Sequence, residues 1–441
     1  MKFHINRKEA LSAARKAALA VPENSPIAEF TGILLEANEN TGQVSFFGSD
    51  LRTAIRCEMQ ADVETGSGAI VNAQLLTGML NLTSGDRVSV ESLENGLLCL
   101  NCQNTQYTVA TLKPDLLTKV KIPVPQNLVR LTGLCSLERF TTFAAAKKDP
   151  KQMLECVRLE ITPNSIQAAA CDSHRLIETR EKAESGGSLE FLLPAKSLRV
   201  LAGLVEDTEI IYLGIQDHSA IFFRPGLYFT SRIVEVPYLD VEALLATPGK
   251  YRALAASKDF RQAVETVTTV IDGYSSLHLR FTPDKKILLS CDGPSGITAN
   301  TQLETGVLNA MPEDTSFYYN ASDFAQGIRL LEGMLALSIS QDGILIAANG
   351  SEKYMLIPRR PVKRPDKSKK DDSLEGKKTA AKKKLLKLKR LRPRPHRRNN
   401  NEWKKQYRPA PLYPGTKQVY GGTLQPSGMV SFLSMVKKTT P

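Results

Sequence analysis

The chain repeats itself about every 120 residues, and this internal repeat limits its possible folds more than any other feature. Three segments each read as an apolar strand, a turn with an aspartate, and a second strand: Gln43–Ile55, Ile166–Glu178 and Lys286–Ala299. Spacings of 122 and 120 residues separate their turn aspartates, Asp50, Asp172 and Asp292. Because a domain typically needs roughly 100–150 residues, the repeat predicts three similar domains in one chain.

Two further series of anchors give the same period. The second helix of each copy is predicted to begin after a polar or proline cap, at Asn72, Pro194 and Asn320. The last strand of each copy holds a tyrosine, Tyr107, Tyr228 or Tyr354. Successive members of both series are 121 to 126 residues apart, so the repeat covers the whole unit.

Each copy is predicted to run in the order β-α-β-β-β-α-β-β-β. The first helices are predicted at Lys8–Ala20, Leu137–Lys147 and Lys258–Val270. A strand that leads into the second helix is predicted, together with that helix, at Ala69–Asn81, Phe191–Gly203 and Phe317–Leu331. Many strands joined by short turns predict an α+β fold of antiparallel sheets with both helices on one face. The predicted domains are residues 1–124, 125–247 and 248–360.

Charge divides the chain into an acidic body and a basic tail. The whole chain has a net charge of +12, but residues 361–441 hold 23 Lys and Arg against 5 Asp and Glu, which leaves the body at −6. The tail is polar and predicted to be disordered, with a basic helix at Thr379–Arg392. This asymmetry indicates a role of the tail at nucleic acid or another anionic surface.

Cysteine usage and hydropathy indicate a cytoplasmic protein. The seven cysteines are odd in number and lie mostly in apolar runs, as reduced buried thiols do. The chain has no run of 18 apolar residues, so we expect no membrane span. Cys99 and Cys102 have metal-ligand spacing but lack a second pair, so we predict neither a metal nor a cofactor.

The one cluster of catalytic residue types is Cys171-Asp172-Ser173-His174. Catalytic partners must converge in space, whereas neighbours around one turn point to different sides. An aspartate that caps its own turn is the better interpretation. No phosphate-binding loop, dinucleotide motif, zinc-protease motif or paired-carboxylate motif stands out, so the sequence argues against an enzyme.

Basic residues lie on or beside the predicted helices: Arg7, Lys8, Arg15, Lys16, Lys147, Lys148, Lys151, Lys196, Arg199, Lys258, Arg261 and Arg329. They could line a surface for a regular array of phosphates without reading bases. Alternatively they are ordinary solvated helix faces, which composition alone favours.

Several segments together resemble the bacterial DNA polymerase III beta subunit, the sliding clamp. They are Met1–Leu11, Ala170–Leu176, Phe229–Asp240, Tyr319–Phe324 and Tyr354–Arg359. The resemblance covers about residues 1–360 in order. It implies three tandem clamp domains, and a head-to-tail homodimeric ring with helices around a hole and sheets outside. Such a ring would slide on double-stranded DNA and tether the polymerase III catalytic subunit. The clamp loader and other replication and repair proteins would be further partners.

The resemblance also implies site residues. A peptide cleft between the second and third domains would be walled by Leu154, Cys171, Ser173, His174, Leu176, Pro237, Met355, Ile357, Pro358 and Arg359. DNA contacts would come from Lys148, Gln152 and Lys196, and we add Lys151 and Arg199 on charge. The dimer edge would join the strand of Tyr107 and Val109 to the edge around Ile297 and Thr301. Ser173, Glu242 and Arg359 depart from the family pattern and predict a more polar cleft.

Two questions stay open at this point: whether the chain forms a ring, and what the tail does. The chain could be a clamp-derived DNA-binding or regulatory protein that forms no loadable ring, because its third-domain edge lacks the acidic residues common in the family. The tail could be an added DNA-binding arm, or its apolar part around Met429–Met435 could fold back into the cleft. An aberrant terminus would explain the tail without any function.

Overall fold

The computed structural model describes residues 1–360 except 121, 124, 126, 273–274, 285, 294–295, 305 and 308–314. Predictions for the tail, residues 361–441, therefore lie outside the described residues. Met1–Pro361 form one compact unit, in which the three repeats follow one another.

The first repeat contains β1 (Lys2–Asn6), α1 (Arg7–Ala18), β2 (Gly32–Asn38), β3 (Gln43–Ser49), β4 (Thr53–Gln60), β5 (Asp62–Thr65), β6 (Ser67–Asn72), α2 (Ala73–Leu82), β7 (Arg87–Ser92), β8 (Leu97–Cys102) and β9 (Thr105–Ala110). The second repeat contains β10 (Val129–Leu131), α3 (Leu134–Thr141), β11 (Cys156–Thr162), β12 (Ser165–Cys171), β13 (Arg175–Lys182), β14 (Leu189–Pro194), α4 (Ala195–Ala202), β15 (Ile211–Gln216), β16 (Ser219–Arg224) and β17 (Leu227–Arg232). A short helix, α5 (Val241–Leu245), leads into the third repeat.

The third repeat contains β18 (Tyr251–Ala256), α6 (Ser257–Thr268), β19 (Ser276–Phe281), β20 (Lys286–Asp292), β21 (Thr298–Glu304), β22 (Gly306–Val307), β23 (Thr315–Asn320), α7 (Ala321–Ile328), β24 (Met334–Ile339), β25 (Leu345–Ala348) and β26 (Glu352–Leu356). Single 3-10 turns occur at Ala28–Thr31, Leu117–Lys119, Thr142–Ala144 and Gln152–Glu155.

The helix caps and the tyrosine strands lie where the repeat predicts them. Asn72 and Asn320 cap α2 and α7 with their side-chain oxygens, and Pro194 occupies the same position before α4. A tyrosine lies in β9, β17 and β26, the last strand of each copy. The antiparallel α+β fold is confirmed, and the helices of each repeat pack as pairs, α1 with α2, α3 with α4 and α6 with α7.

The predicted element order was wrong in one respect. At least four strands, not three, separate the two helices of each repeat. Each repeat has one strand before the hairpin, two strands in the hairpin around the turn aspartate, and at least one strand after it. The predicted order counted only three of these strands.

The predicted first helix of the second repeat, Leu137–Lys147, was also wrong at both ends. The helix begins at Leu134, where Asp207 Oδ1 accepts the N–H groups of Cys135 at 2.9 Å and Ser136 at 3.0 Å. These N–H groups belong to the first helical turn, where they have no acceptor within the helix itself. The helix tightens into a 3-10 turn and ends before Ala145, whose backbone is extended.

One pairing rule joins successive repeats into continuous sheets. The last strand of a repeat pairs antiparallel with the strand that follows the turn aspartate of the preceding repeat, as β17 pairs with β4 and β26 with β13. These joints produce an eight-stranded sheet, β10-β15-β16-β17-β4-β3-β2-β6, and a nine-stranded sheet, β14-β11-β12-β13-β26-β25-β24-β18-β22. The two ends of the array keep smaller sheets of five strands, β5-β1-β7-β8-β9, and four strands, β21-β20-β19-β23.

Candidate docking cleft, basic helix face and open sheet edges

The turn aspartate of the second repeat has a structural role. Asp172 Oδ1 accepts the backbone N–H groups of His174 at 2.9 Å and Arg175 at 3.0 Å. Asp50 caps its own turn in the same way in the first repeat. The interpretation of these aspartates as turn caps is therefore confirmed at both positions.

Cys171 is not placed for nucleophilic catalysis. The residue is buried, and its Sγ lies 3.4 Å from Tyr238 Oη. Burial raises the pKa of the Cys171 thiol to about 11, so the thiol stays protonated at neutral pH. His174 is exposed on the turn, and no hydrogen bond of the described residues joins its ring to Cys171. The four neighbouring residues do not form a catalytic group.

Arg175, which the sequence does not single out as a site residue, connects the second repeat to the third. Its guanidinium pairs with Asp172 at 3.0 Å and with Asp323 on α7 at 3.1 Å. It also donates to the carbonyl of Phe143 at 2.7 Å and to Gln326 Oε1 at 3.0 Å. Burial raises the pKa of the Asp323 carboxyl, which the charge of Arg175 opposes. These four contacts link the second repeat directly to the third.

The predicted cleft residues divide into a buried floor and an accessible rim. The β13–β26 ladder pairs Leu176 with Met355, and beyond the ladder Ile357 N–H donates to the carbonyl of His174 at 3.0 Å. The buried members are Leu154, Cys171, Leu176 and Met355. Members that reach solvent are Ser173, His174, Pro237, Ile357, Pro358 and Arg359. A ligand that approaches this junction would therefore contact the accessible rim before the buried floor.

Three arginines of the basic helix set hold partner helices rather than pointing freely to solvent. Arg7 donates to the carbonyl of Leu80 at the end of α2, Arg199 to the carbonyl of Thr142 after α3, and Arg261 to the carbonyl of Leu331 after α7. Cations at helix C-termini satisfy the last carbonyls and interact favourably with the negative end of the helix dipole. The sequence did not separate these arginines from the other basic residues.

The lysines near α4 make no such hydrogen bonds to helix ends among the described residues. Lys148, Lys151 and Gln152 lie exposed between the 3-10 turn Thr142–Ala144 and strand β11, and Lys196 is exposed in the first turn of α4. Asp149 holds the loop, because its Oδ1 accepts the N–H of Lys151 at 2.8 Å. None of the three lysines has an acidic partner within 4.0 Å among the described residues.

Strands β9 and β21 leave their outer edges open in the described part of the chain. Each pairs with a single neighbour, β9 with β8 and β21 with β20. Exposure alternates along both strands. Tyr107 and Val109 on β9 and Ala299 and Leu303 on β21 pack half-buried against the core. Thr301 lies on this same face of β21, and Ile297 is exposed just before the strand.

The described residues hold no metal-binding cluster and no disulfide. All seven cysteines are free, and no group of three or more His, Cys, Asp or Glu is arranged to hold a metal within the described ranges. Cys102 donates to the carbonyl of Ser84 at 3.0 Å, whereas Cys99 accepts from Gln106. No described helix is both long and apolar enough to cross a membrane.

Comparison with known proteins gives one consistent result. The family model described as the DNA polymerase III beta subunit, N-terminal domain, matches residues 1–120, and the model for its central domain matches residues 132–240. Together the two models span more than half of the chain.

Named relatives and solved structures agree. The beta sliding clamp of Micrococcus luteus is 27% identical over 289 residues, covering 64% of this chain and 92% of the relative. The clamp of Synechococcus elongatus is 23% identical, covering 82% and 97%. The DNA polymerase sliding clamp from Bacillus subtilis aligns with a TM-score of 0.75 at 19% identity, covering 82% of this chain and 100% of that chain. The beta subunit from Thermotoga maritima aligns with a TM-score of 0.72 at 16% identity, with the same coverage.

Proposed function

Since the chain belongs to the DNA polymerase III beta subunit family, the beta sliding clamps, we propose that two copies close head to tail into a ring around duplex DNA. The chain is a non-catalytic processivity factor of a DNA polymerase. The ring, the docking cleft and the partners are the proposal.

The proposal that the ring closes rests on the pairing rule between repeats. The last strand of the second and of the third repeat pairs with the strand after the turn aspartate of the preceding repeat. In the first repeat the last strand is β9, and among the described residues no strand pairs with its outer edge. In the third repeat the strand after the aspartate is β21, and no repeat follows it among the described residues. Pairing β9 of one copy with β21 of another extends the same rule and joins the five-stranded and four-stranded sheets into one.

The two edges match in length and in pattern. β9 has six residues and β21 has seven, and both alternate between half-buried and exposed side chains. Pairing would align Tyr107 and Val109 with Ala299 and Leu303, whose side chains already pack on the core. Cross-strand apolar pairs of this kind contribute roughly 0.2–1 kcal/mol each. The exposed side chains of both edges are mostly uncharged, so this contact depends on backbone hydrogen bonds and apolar packing.

In the proposed ring, the free lysines supply weak contacts to DNA. Lys148, Lys151 and Lys196, with Gln152 beside them, would meet backbone phosphates without reading bases. A closed ring stays on DNA by topology, so such contacts need not be strong. Arg199 would contribute little, because its guanidinium is already bonded to Thr142.

The junction of the second and third repeats is the proposed docking cleft. Peptides of the polymerase catalytic subunit, the clamp loader and other replication or repair proteins would bind over the buried floor of Leu154, Leu176 and Met355. The accessible rim carries His174 and Arg359, so we propose that peptides with acidic side chains bind better there than neutral ones.

A residue on the outward edge of β9 tests ring closure. Residues Cys102 and Thr105 close a two-residue loop, so alternate residues from Gln106 turn their N–H groups away from β8. Thr108→Pro removes one such N–H and obstructs pairing with a second copy. We expect native mass spectrometry to give a dimer for the wild type and mainly a monomer for the variant. Thr298→Ala, on the exposed side of β21, is a conservative control that should stay dimeric.

Function is measured by DNA synthesis and by retention on DNA. The wild-type protein should raise polymerase processivity and remain on circular DNA but slide off linear DNA with free ends. Thr108→Pro should lose both effects while keeping its thermal unfolding temperature. A wild-type monomer at micromolar concentration would contradict the ring and favour a clamp-derived DNA-binding or regulatory protein.

A further inference from the structure

The junction between the first and second repeats is built like the junction between the second and third. At the first junction Arg232 N–H donates to the carbonyl of Arg52 at 2.8 Å. At the second junction Ile357 N–H donates to the carbonyl of His174 at 3.0 Å. Each acceptor lies two residues after a turn aspartate. Arg232 is the last residue of β17 and Ile357 directly follows β26, so each donor lies where the strand from the following repeat ends. The chain therefore holds two equivalent grooves beside its turn aspartates.

The first of these grooves contains a cavity of about 530 Å³, the first-junction pocket. Phe30 and Ala54 form a buried apolar floor. Three large apolar side chains on its rim are unusually exposed: Ile27 at 41%, Leu51 at 56% and Leu116 at 40%. Exposed apolar residues scattered singly need no explanation, but several around one cavity mark an interaction site.

Leu51 is held at the rim in a costly conformation. Its φ of 69° lies in the left-handed region, where the side chain of a non-glycine residue crowds its own backbone. Its N–H donates to Ser49 Oγ at 3.1 Å, which fixes the turn. Glycine or asparagine would fit this backbone better. A leucine here exposes apolar surface at a position where folding alone favours another residue.

The charge of the pocket defines what it can bind. Arg52, Lys119 and Arg232 lie exposed in its wall, and none has an ion-pair partner among the described residues. Among the described residues that line the pocket, Asp217 is the only one with a carboxylate. An apolar cavity with an excess of positive charge fits an apolar group that carries a carboxylate beside it.

We propose that the first-junction pocket docks a short linear segment of a partner protein, with two apolar side chains flanked by carboxylates. The chain's own tail is a poor occupant, because its net charge of +18 would face Arg52, Lys119 and Arg232. This docking site is separate from the cleft at the second junction and does not depend on ring closure.

Fluorescence anisotropy with the full chain tests the proposal. The probes are two labelled pentapeptides, Asp-Leu-Ala-Leu-Asp and Lys-Leu-Ala-Leu-Lys, which share their apolar residues and differ in charge. We expect the acidic peptide to bind about tenfold more tightly than the basic one. The variant Arg232→Glu with Lys119→Glu should reverse this preference. Leu51→Asn, which suits the left-handed backbone, should weaken binding of the acidic peptide about fivefold without loss of thermal stability.

Two controls assign the binding to this pocket. Lys182→Glu reverses one exposed charge at the end of β13, outside the pocket, and should leave the affinity unchanged. Ile357→Glu alters the second junction and should also leave it unchanged. Binding that survives Leu51→Asn and the charge reversal, or that falls only with Ile357→Glu, would overturn the proposal. A photo-cross-linking residue at Ile27 that captures residues beyond 360 would identify the tail as the occupant and overturn it too.

Discussion

Removal of the Arg175 side chain should selectively destabilise the junction between the second and third repeats. Only 11% of it is exposed, and it pairs with Asp172 at 3.0 Å and Asp323 at 3.1 Å. Breaking a buried pair by removing one partner costs about 3–5 kcal/mol, because the remaining charge stays buried. Asp172 and Asp323 retain 21% and 17% exposure, so water can partly solvate them. We therefore expect Arg175→Met to cost about 3 kcal/mol at pH 7.

The loss of folding free energy in Arg175→Met should depend on pH in a defined direction. Burial already raises the pKa of Asp323, and loss of the neighbouring cation raises it further. A carboxyl with a raised folded-state pKa contributes stability below its unfolded pKa, and this contribution is lost as pH rises through the folded pKa. The deficit of Arg175→Met should thus be largest near pH 7 and shrink as the pH falls toward the ordinary aspartate pKa, about 4.

Hydrogen–deuterium exchange is the suitable assay, because the loss is local to one junction. About 3 kcal/mol corresponds to roughly hundredfold faster exchange in β13 and β26 if opening is local. Strands β4 and β17 at the other junction should exchange as before. Arg52→Met, an exposed arginine at that junction, serves as the control and should change stability by less than about 0.5 kcal/mol. Adding Asp323→Asn to Arg175→Met should recover part of the loss. An effect below about 1 kcal/mol that is equal at pH 5 and pH 7 would refute the reasoning.

Three further outcomes are expected. Tyr354→Phe and Tyr319→Phe each remove a buried hydroxyl that donates to a backbone carbonyl at 2.8 Å, and each should lower the free energy of unfolding in urea by about 1 kcal/mol. Cys171, whose pKa is raised to about 11, should resist iodoacetamide at pH 8 in the folded protein and react in urea; equal labelling rates in the two conditions would contradict this. Leu51→Asn should raise thermal stability by about 1 kcal/mol through relief of its left-handed backbone; a lower unfolding temperature would contradict this.

The features that could be predicted from the sequence are those that a short stretch of chain specifies by itself. Asn72 and Asn320 each accept hydrogen bonds from residues two and three positions further on, so the cap is visible in the sequence. Asp172 likewise caps a turn built from its immediate neighbours. Because such signals recur at a fixed spacing, they were enough to give the repeat and the α+β class.

The features that were missed depend on partners distant in the chain. Asp207 caps α3 from 72 residues beyond Cys135, and nothing near that helix signals it. Arg175 reaches Gln326, 151 residues away. The candidate cleft also involves such partners, because buried Leu176 pairs with Met355 of β26, which lies far along the chain. The residue roles at the cleft, the DNA face and the dimer edge came from family resemblance and stay predictions.

The pairing rule between repeats has a consequence for how a closed ring would open. In the proposed ring every joint uses the same strand contact, but only some joints are also bridged by the polypeptide. A short linker holds its two strands at an effective concentration in the millimolar range, whereas separate copies meet at the concentration of the free protein. At about 1 μM, that difference amounts to about 4 kcal/mol for otherwise equal contacts. The same joint would therefore be permanent inside a chain and dissociable between chains, so a ring built this way would open at the β9–β21 joints between the two polypeptides.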